Sequence, residues 1–189
     1  MKKTGKTLTL SGQMPKRPFP FQLSREPHTV LEYANVLDIN RAWKVKKFST
    51  WIQETGIELG AYSNPFTFGI DVQLSTDEIP FTKDWNNAGD NRAIGWGTLS
   101  YDVEDSSSKN VGNFSSAQRR LMYSEYWLHP DNIIQNKLTI SAQSTGGNPT
   151  VEGLTGYTLN YIIELEEVEI SPAESIVFNI KGQGQSLDS

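Results

Sequence analysis

A chain of 189 residues without cysteine, 21% of it charged, is long enough for one hydrophobic core and excludes disulfide frameworks, thiolate catalysis and Cys-ligated zinc. Net charge is −5 but uneven: residues 1–47 hold ten Lys/Arg against three acids, and residues 48–189 hold seven against nineteen. No apolar run approaches the roughly 20 residues of a membrane helix, and Met1–Leu10 has the basic start of a signal peptide without its apolar stretch, so no export signal is expected and exit, if any, would follow a route such as lysis.

The first 27 residues contain Pro15, Pro18, Pro20 and Pro27. Proline fixes φ and lacks a donor, so residues 1–27 read as an extended arm, with residues 28–189 as a single domain. The arm either exchanges with a neighbour or packs on its own domain. Its cations Lys2, Lys3, Lys6, Lys16, Arg17 and Arg25 are candidate contacts to nucleic acid or to an acidic neighbouring subunit, or simply a solvated surface. They lack the dense basic blocks of a genome-binding tail, so any phosphate contacts would be few and salt-sensitive.

Alternation of apolar and polar residues predicts strands at Thr7–Leu10, Phe19–Leu23, Thr29–Tyr33, Ala42–Gln53, Phe66–Leu74, Arg92–Tyr101, Arg120–Leu128, Lys137–Ala142 and Tyr157–Val168. The fifth is the cleanest. Phe66, Phe68, Ile70, Val72 and Leu74 share one face, and Thr67, Gly69, Asp71 and Gln73 the other, as in a half-buried strand. In the eighth, Ile134, Leu138, Ile140 and Ala142 share a face. In the ninth, Tyr157, Leu159, Tyr161, Ile163 and Leu165 do so. Slips of apolar phase after Glu166-Glu167, between Val45 and Phe48, and between Trp96 and Leu99 predict β-bulges.

Polar, Gly- and Asn-rich stretches separate these runs, at Glu54–Gly56, Tyr62–Pro65, Asn86–Asn91, Asp105–Asn110 and Thr145–Pro149. Ser171-Pro172-Ala173-Glu174 carries the signature of a capping box and predicts a helix ending near Lys181, before Gly182. Ser115-Ser116-Ala117-Gln118 fits the same pattern more loosely. Gly182-Gln183-Gly184-Gln185 reads as a flexible tail. Eight or nine strands with long loops predict an all-β fold: a two-sheet antiparallel sandwich, an eight-stranded jelly roll with an N-terminal arm and a short C-terminal helix.

The chemistry-bearing residues are sparse. His28 and His129 each stand alone, and no His-Glu-x-x-His, Gly-x-Ser-x-Gly, Walker or Gly-x-Gly-x-x-Gly pattern occurs. Asp84, Asn86 and Gly89 fit the first, third and sixth positions of a calcium loop, but Ala88 and Gly95 fail the fifth and twelfth. A looser cage of Asp84, Asn86 and Asp90 competes there with a turn held by its own side chains. Glu164 and Glu166 lie about 7 Å apart on one strand face, a spacing open to glycoside hydrolysis, but with Glu167 and Glu169 they read as a solvated edge or outer face that discourages aggregation. Asn113-Phe114-Ser115 matches a glycosylation sequon with no export signal to use it. Trp43, Trp51, Trp96 and Trp127 fall in strand patterns and read as core, or else as a sugar platform. Trp85, in a polar loop, is the candidate exposed contact aromatic. No catalytic, metal or cofactor site is expected.

In architecture the chain resembles single-jelly-roll capsid proteins of small tailless viruses. Gly89-Asp90-Asn91-Arg92-Ala93-Ile94-Gly95-Trp96 and Leu159-Asn160-Tyr161-Ile162-Ile163-Glu164-Leu165-Glu166 are similar to segments of such structural proteins. The resemblance implies a non-enzymatic protein that assembles with copies of itself into an icosahedral shell in the virion. It also implies an arm tying neighbours together, contacts with other virion proteins, and light or indirect contact with nucleic acid. The alternative is a β-sandwich binding module for carbohydrate or a receptor.

Overall fold

Strand β5 (Phe66–Ser75) sets the pattern for the whole molecule. In the computed structural model, which describes residues 1–14, 27–32, 40–53, 56–58, 66–77, 79, 89–104, 116–146 and 158–184, the apolar residues Ile70, Val72 and Leu74 are fully buried between two sheets. Their polar alternates Asp71, Gln73 and Ser75 are also buried, so the strand is covered on both faces rather than half-buried as its alternation predicts. β5 is an interior strand, and its outer neighbours Thr139 and Ser141 are buried with it.

The other strands are β1 (Lys2–Gln13), β2 (His28–Glu32), β3 (Arg41–Ile52), β4 (Gly56–Glu58), β6 (Ala93–Glu104), β7 (Ser116–Leu128), β8 (Ile133–Ile134), β9 (Lys137–Gly146) and β10 (Leu159–Glu169). One sheet runs β1-β10-β3-β8 and the other β2-β9-β5-β6-β7-β4, and every pairing is antiparallel. With β4 and β7 set aside, eight strands remain. In chain order, the first, eighth, third and sixth form one sheet, and the second, seventh, fourth and fifth form the other. Successive strands thus cross between sheets, except for the fourth and fifth, which pair with each other, and this order is that of the jelly roll. The expected strand at Phe19–Leu23 lies outside the described residues.

The first half of the expected arm packs on its own chain. Residues 2–13 extend the predicted Thr7–Leu10 strand and form the outer strand of the four-stranded sheet, against β10. Leu8 and Leu10 face the core opposite Leu165 and Ile163.

Phase slips in the sequence have three different causes. The one between Val45 and Phe48 is a bulge: Glu164 pairs with Lys47 and Leu165 with Val45, leaving Lys46 extra. The one after Glu166-Glu167 is not a bulge in β10, which stays in register with β3 through Glu169. Val168 and Ile170 point to the outer side, where Ala42, Ile133 and Phe178 of helix α1 (Pro172–Gly184) cover them. The extra residues lie instead in β1, where Thr4, Gly5 and Lys6 bow out opposite Glu167 and Gly5 takes φ 84°. The slip between Trp96 and Leu99 is no bulge either, since Trp96, Gly97, Thr98 and Leu99 pair in unbroken order with β5. The inward position is a glycine because the Tyr126 ring fills it: a Cβ on Gly97 would lie 2.6 Å from Tyr126 Cδ1. That ring packs edge-on against Phe48, with centroids 4.8 Å apart.

Three further expectations are corrected. Ile134 belongs to β8 in the opposite sheet, paired with Trp43, rather than to the strand of Leu138. Gly56, expected in a turn, opens β4. Ser116 begins β7 and not a helix, because pairing with β4 and β6 overrides a local capping signal. The C-terminal capping box does form: Glu174 N donates to Ser171 Oγ at 3.2 Å and Ser171 N to Glu174 Oε2 at 2.7 Å. Its helix runs on to Gly184, past the predicted stop and through most of the expected tail.

β8 covers only Trp43 and Lys44 of β3, so the rest of β3 has an open side among the described residues. Side chains close it. Asn132 Oδ1 accepts from Val45 N at 3.1 Å. Tyr126 Oη accepts from Thr50 N at 2.9 Å and donates to Thr50 O at 2.8 Å. These bonds satisfy a buried backbone edge and tie the two sheets together.

Candidate assembly surface

The candidate cations divide. Lys2, Lys3 and Lys6 lie on β1, while Lys16, Arg17, Arg25 and Trp85 fall outside the described residues. Lys3 Nζ pairs with Glu166 Oε2 at 3.1 Å on the outer face, and Lys6 Nζ with Glu167 Oε2 at 3.4 Å. The Met1 ammonium reaches Glu174 Oε1 at 3.5 Å. These charges fasten β1 to its own domain.

Glu167 is the centre of that fastening. Its side chain points inward at the end of the sandwich, where Arg41 Nη1 lies 3.4 Å from Oε1. Burial works to raise its carboxyl, but hydrogen bonding from Thr4 and the charges of Lys6 and Arg41 outweigh it and hold the group below the ordinary glutamate range. Asp71 shows the reverse. Burial pushes its carboxyl up against the opposing hydrogen bond from Thr98 Oγ1 at 2.9 Å.

The remaining acids of β10 do not form a sheet edge, because β10 lies between β1 and β3. Glu164 stands opposite Lys47 and Glu166 opposite Lys44, on the outer face. The two histidines serve local structure. His28 packs against Tyr161 with ring centroids 5.9 Å apart, and His129 Nδ1 accepts from Asp131 N at 3.1 Å. Of the calcium-loop candidates, Asp90 is engaged by Arg92, whose Nη2 and Nε donate at 2.8 and 3.1 Å. Asp84 and Asn86 lie outside the described residues, as does the sequon at Asn113. Among the described residues no three His, Asp or Glu side chains converge as a metal would need.

The tryptophans do not all join the core. Trp43 packs on it, but Trp51 and Trp127 are exposed. Trp127 sits directly across the ladder from Trp96 on the outer face of the six-stranded sheet. The indole N–H of Trp96 is buried without a hydrogen-bond partner among the described residues.

Sequence reasoning missed the most apolar surface. On β7, Leu121, Met122, Tyr123 and Trp127 are 49, 56, 49 and 47% exposed. A second patch, Ile176, Val177 and Ile180, lies exposed on α1, away from Phe178. A sign of the first was available: Leu121-Met122-Tyr123 is an unbroken apolar run inside a strand, which alternation cannot bury on one face.

No family model matches the chain, and no curated protein matches it in sequence. Among solved structures it is similar to Merkel cell polyomavirus VP1 in complex with 3'-sialyllactosamine, at 10% identity and a TM-score of 0.28, over 84% of this chain and 76% of that one. It is also similar to the tailspike protein of Acinetobacter baumannii phage AM24, at 8% identity and a TM-score of 0.18, over 68% of this chain and 26% of that one. At these values both likenesses are faint. The strand order within the chain itself establishes the class: an all-β jelly-roll sandwich with two exposed apolar surfaces.

Proposed function

We propose that this chain is a capsid subunit, a structural protein that assembles with copies of itself into a closed shell. The observation that supports this most is the exposed apolar surface on β7 and α1, outside the core that the described residues form. Exposed apolar surface of this kind marks places that a partner covers. The jelly roll is one of the folds from which shells are built, though it also serves lectins and cupins, so the fold alone does not decide. On this reading the protein resides in the virion, does no catalysis and needs no cofactor. Genome contact is minor, because Lys3 and Lys6 already face carboxylates.

One observation favours a second reading, a glycan- or receptor-binding module. Tyr123 and Trp127 stand two positions either side of Glu125 on one sheet face, an aromatic pair with a polar group between. Light scattering and negative-stain electron microscopy across salt and pH separate the two. Closed particles, or regular pentamers and hexamers, are expected of a shell protein. A monomer under every condition, with saturable sugar binding lost in Trp127→Ala, would replace the first reading with the second.

A further inference from the structure

The sheets have open edges, and they are protected unequally. β8 has two residues, β2 five and β4 three, too short to template another strand. β1 is long but carries Lys2, Lys3 and Lys6 and bows out at Thr4–Lys6. β4 covers only Ser116–Gln118 of β7. From Arg119 to Leu128 the outer side of β7 has no strand beside it among the described residues, and the side chains there are Leu121, Met122, Tyr123 and Trp127. This edge also carries Arg120, Glu125 and a bulge at Met122, but its length and its exposed apolar side chains make it a liability unless something pairs with it.

Resting on the assembly reading, we propose that this edge pairs antiparallel with the same edge of a second copy about a two-fold axis. Self-pairing suits it because an antiparallel strand edge is complementary to its own rotated image. The bulge supplies the charge match. Arg120 stands opposite Asp102, and Glu125 opposite Thr98, with Met122 skipped between Leu121 and Tyr123. That one extra residue brings Arg120 and Glu125, five positions apart, to the same face of the sheet. In the register that sets Arg120 opposite Glu125 of the second copy, the pair recurs on both sides of the axis. Leu121 then meets Ser124, and Met122 meets Tyr123. Pairing extends from Arg119 to Tyr126 and stops where β4 begins. Four large side chains about half exposed offer roughly 400 Å² per copy, or about 800 Å² for both. That is below the roughly 1,200 Å² of a stable isolated complex, so the contact suits one of several in a shell.

The absence of cysteine makes the test clean. Leu121→Cys and Ser124→Cys, carried on differently tagged chains, are mixed under assembly conditions and oxidised. A Ser124→Cys with Ser11→Cys mixture is the control, Ser11 being exposed on β1. The expected result is a mixed-tag disulfide at least tenfold faster than the control. Met122→Lys, with its far-UV spectrum unchanged, is expected to cut it at least tenfold. Particles forming without that disulfide, or Met122→Lys assembling normally, would overturn the contact and leave the assembly reading standing. A chain monomeric under every condition, including one whose Trp127 fluorescence responds to glycans, would overturn both.

Discussion

Replacing Tyr126 by Phe removes one oxygen and leaves the ring. The ring keeps its slot over Gly97 and its contact with Phe48. What is lost is the hydroxyl that serves Thr50 N at 2.9 Å and Thr50 O at 2.8 Å. Among the described residues β3 has no strand on that side at Thr50, so a buried donor and acceptor lose their partner together. Each such loss costs about 1–3 kcal/mol, and partial access of water at the sheet end offsets some of it. The expected destabilisation is about 2 kcal/mol. For a domain of this size that lowers the melting temperature by roughly 4–8 °C. Urea and thermal unfolding of the protein measure it, with the exposed Tyr123→Phe as control. A Tyr126→Phe protein within about 0.5 kcal/mol of the parent, the scatter of surface changes, would refute the idea that tyrosine hydroxyls close the open side of β3.

Gly97→Ala sets a Cβ 2.6 Å from Tyr126 Cδ1, and forced movement of that ring is expected to cost about 1–3 kcal/mol in the same assay. Glu167 and Asp71 should respond to pH in opposite senses. A depressed carboxyl contributes stability that is complete above the ordinary glutamate pKa and lost as pH falls through the lower folded value, so Glu167→Gln should destabilise at neutral pH and be without effect in strong acid. A raised carboxyl destabilises the fold at neutral pH and is relieved as pH falls, so Asp71→Asn should stabilise at neutral pH, with the difference vanishing in acid. Unfolding midpoints from neutral to acid pH read both. Ser171→Ala removes the cap of α1, and loss of about 1 kcal/mol of protection is expected in hydrogen exchange of its first turn.

The strands were legible wherever one face is apolar and the chain keeps a simple register. Leu159, Tyr161, Ile163 and Leu165 are buried in alternation, as their spacing requires. The Ser171–Glu174 box was legible because its two hydrogen bonds are local. What failed depended on partners remote in sequence. Val168 looked like a phase slip because α1 covers it from outside, and Gly97 looked like one because Tyr126 supplies the missing side chain. Two-residue β8 is too short to show any period, and only its pairing with β3 defines it. The apolar surface of β7 was hidden by the rule that aromatic residues in strands belong to the core, which fails at an unpaired edge.

The place of β10 has a consequence for the timing of folding during synthesis. It is the last of the described strands to be made, yet it lies between β1 and β3, which do not pair with each other. Until residue 169 has left the ribosome, the four-stranded sheet lacks its central ladder, and the basic β1 has no carboxylates of β10 to hold it. β5, β6 and β7, joined as sequential hairpins, can pair while the chain is still growing, and β2, β4, β8 and β9 also find partners before β10 is made. A nascent chain therefore exposes the β7 edge early but cannot complete the four-stranded sheet. On the proposed assembly reading, association is deferred to finished chains, so translation would act as its clock.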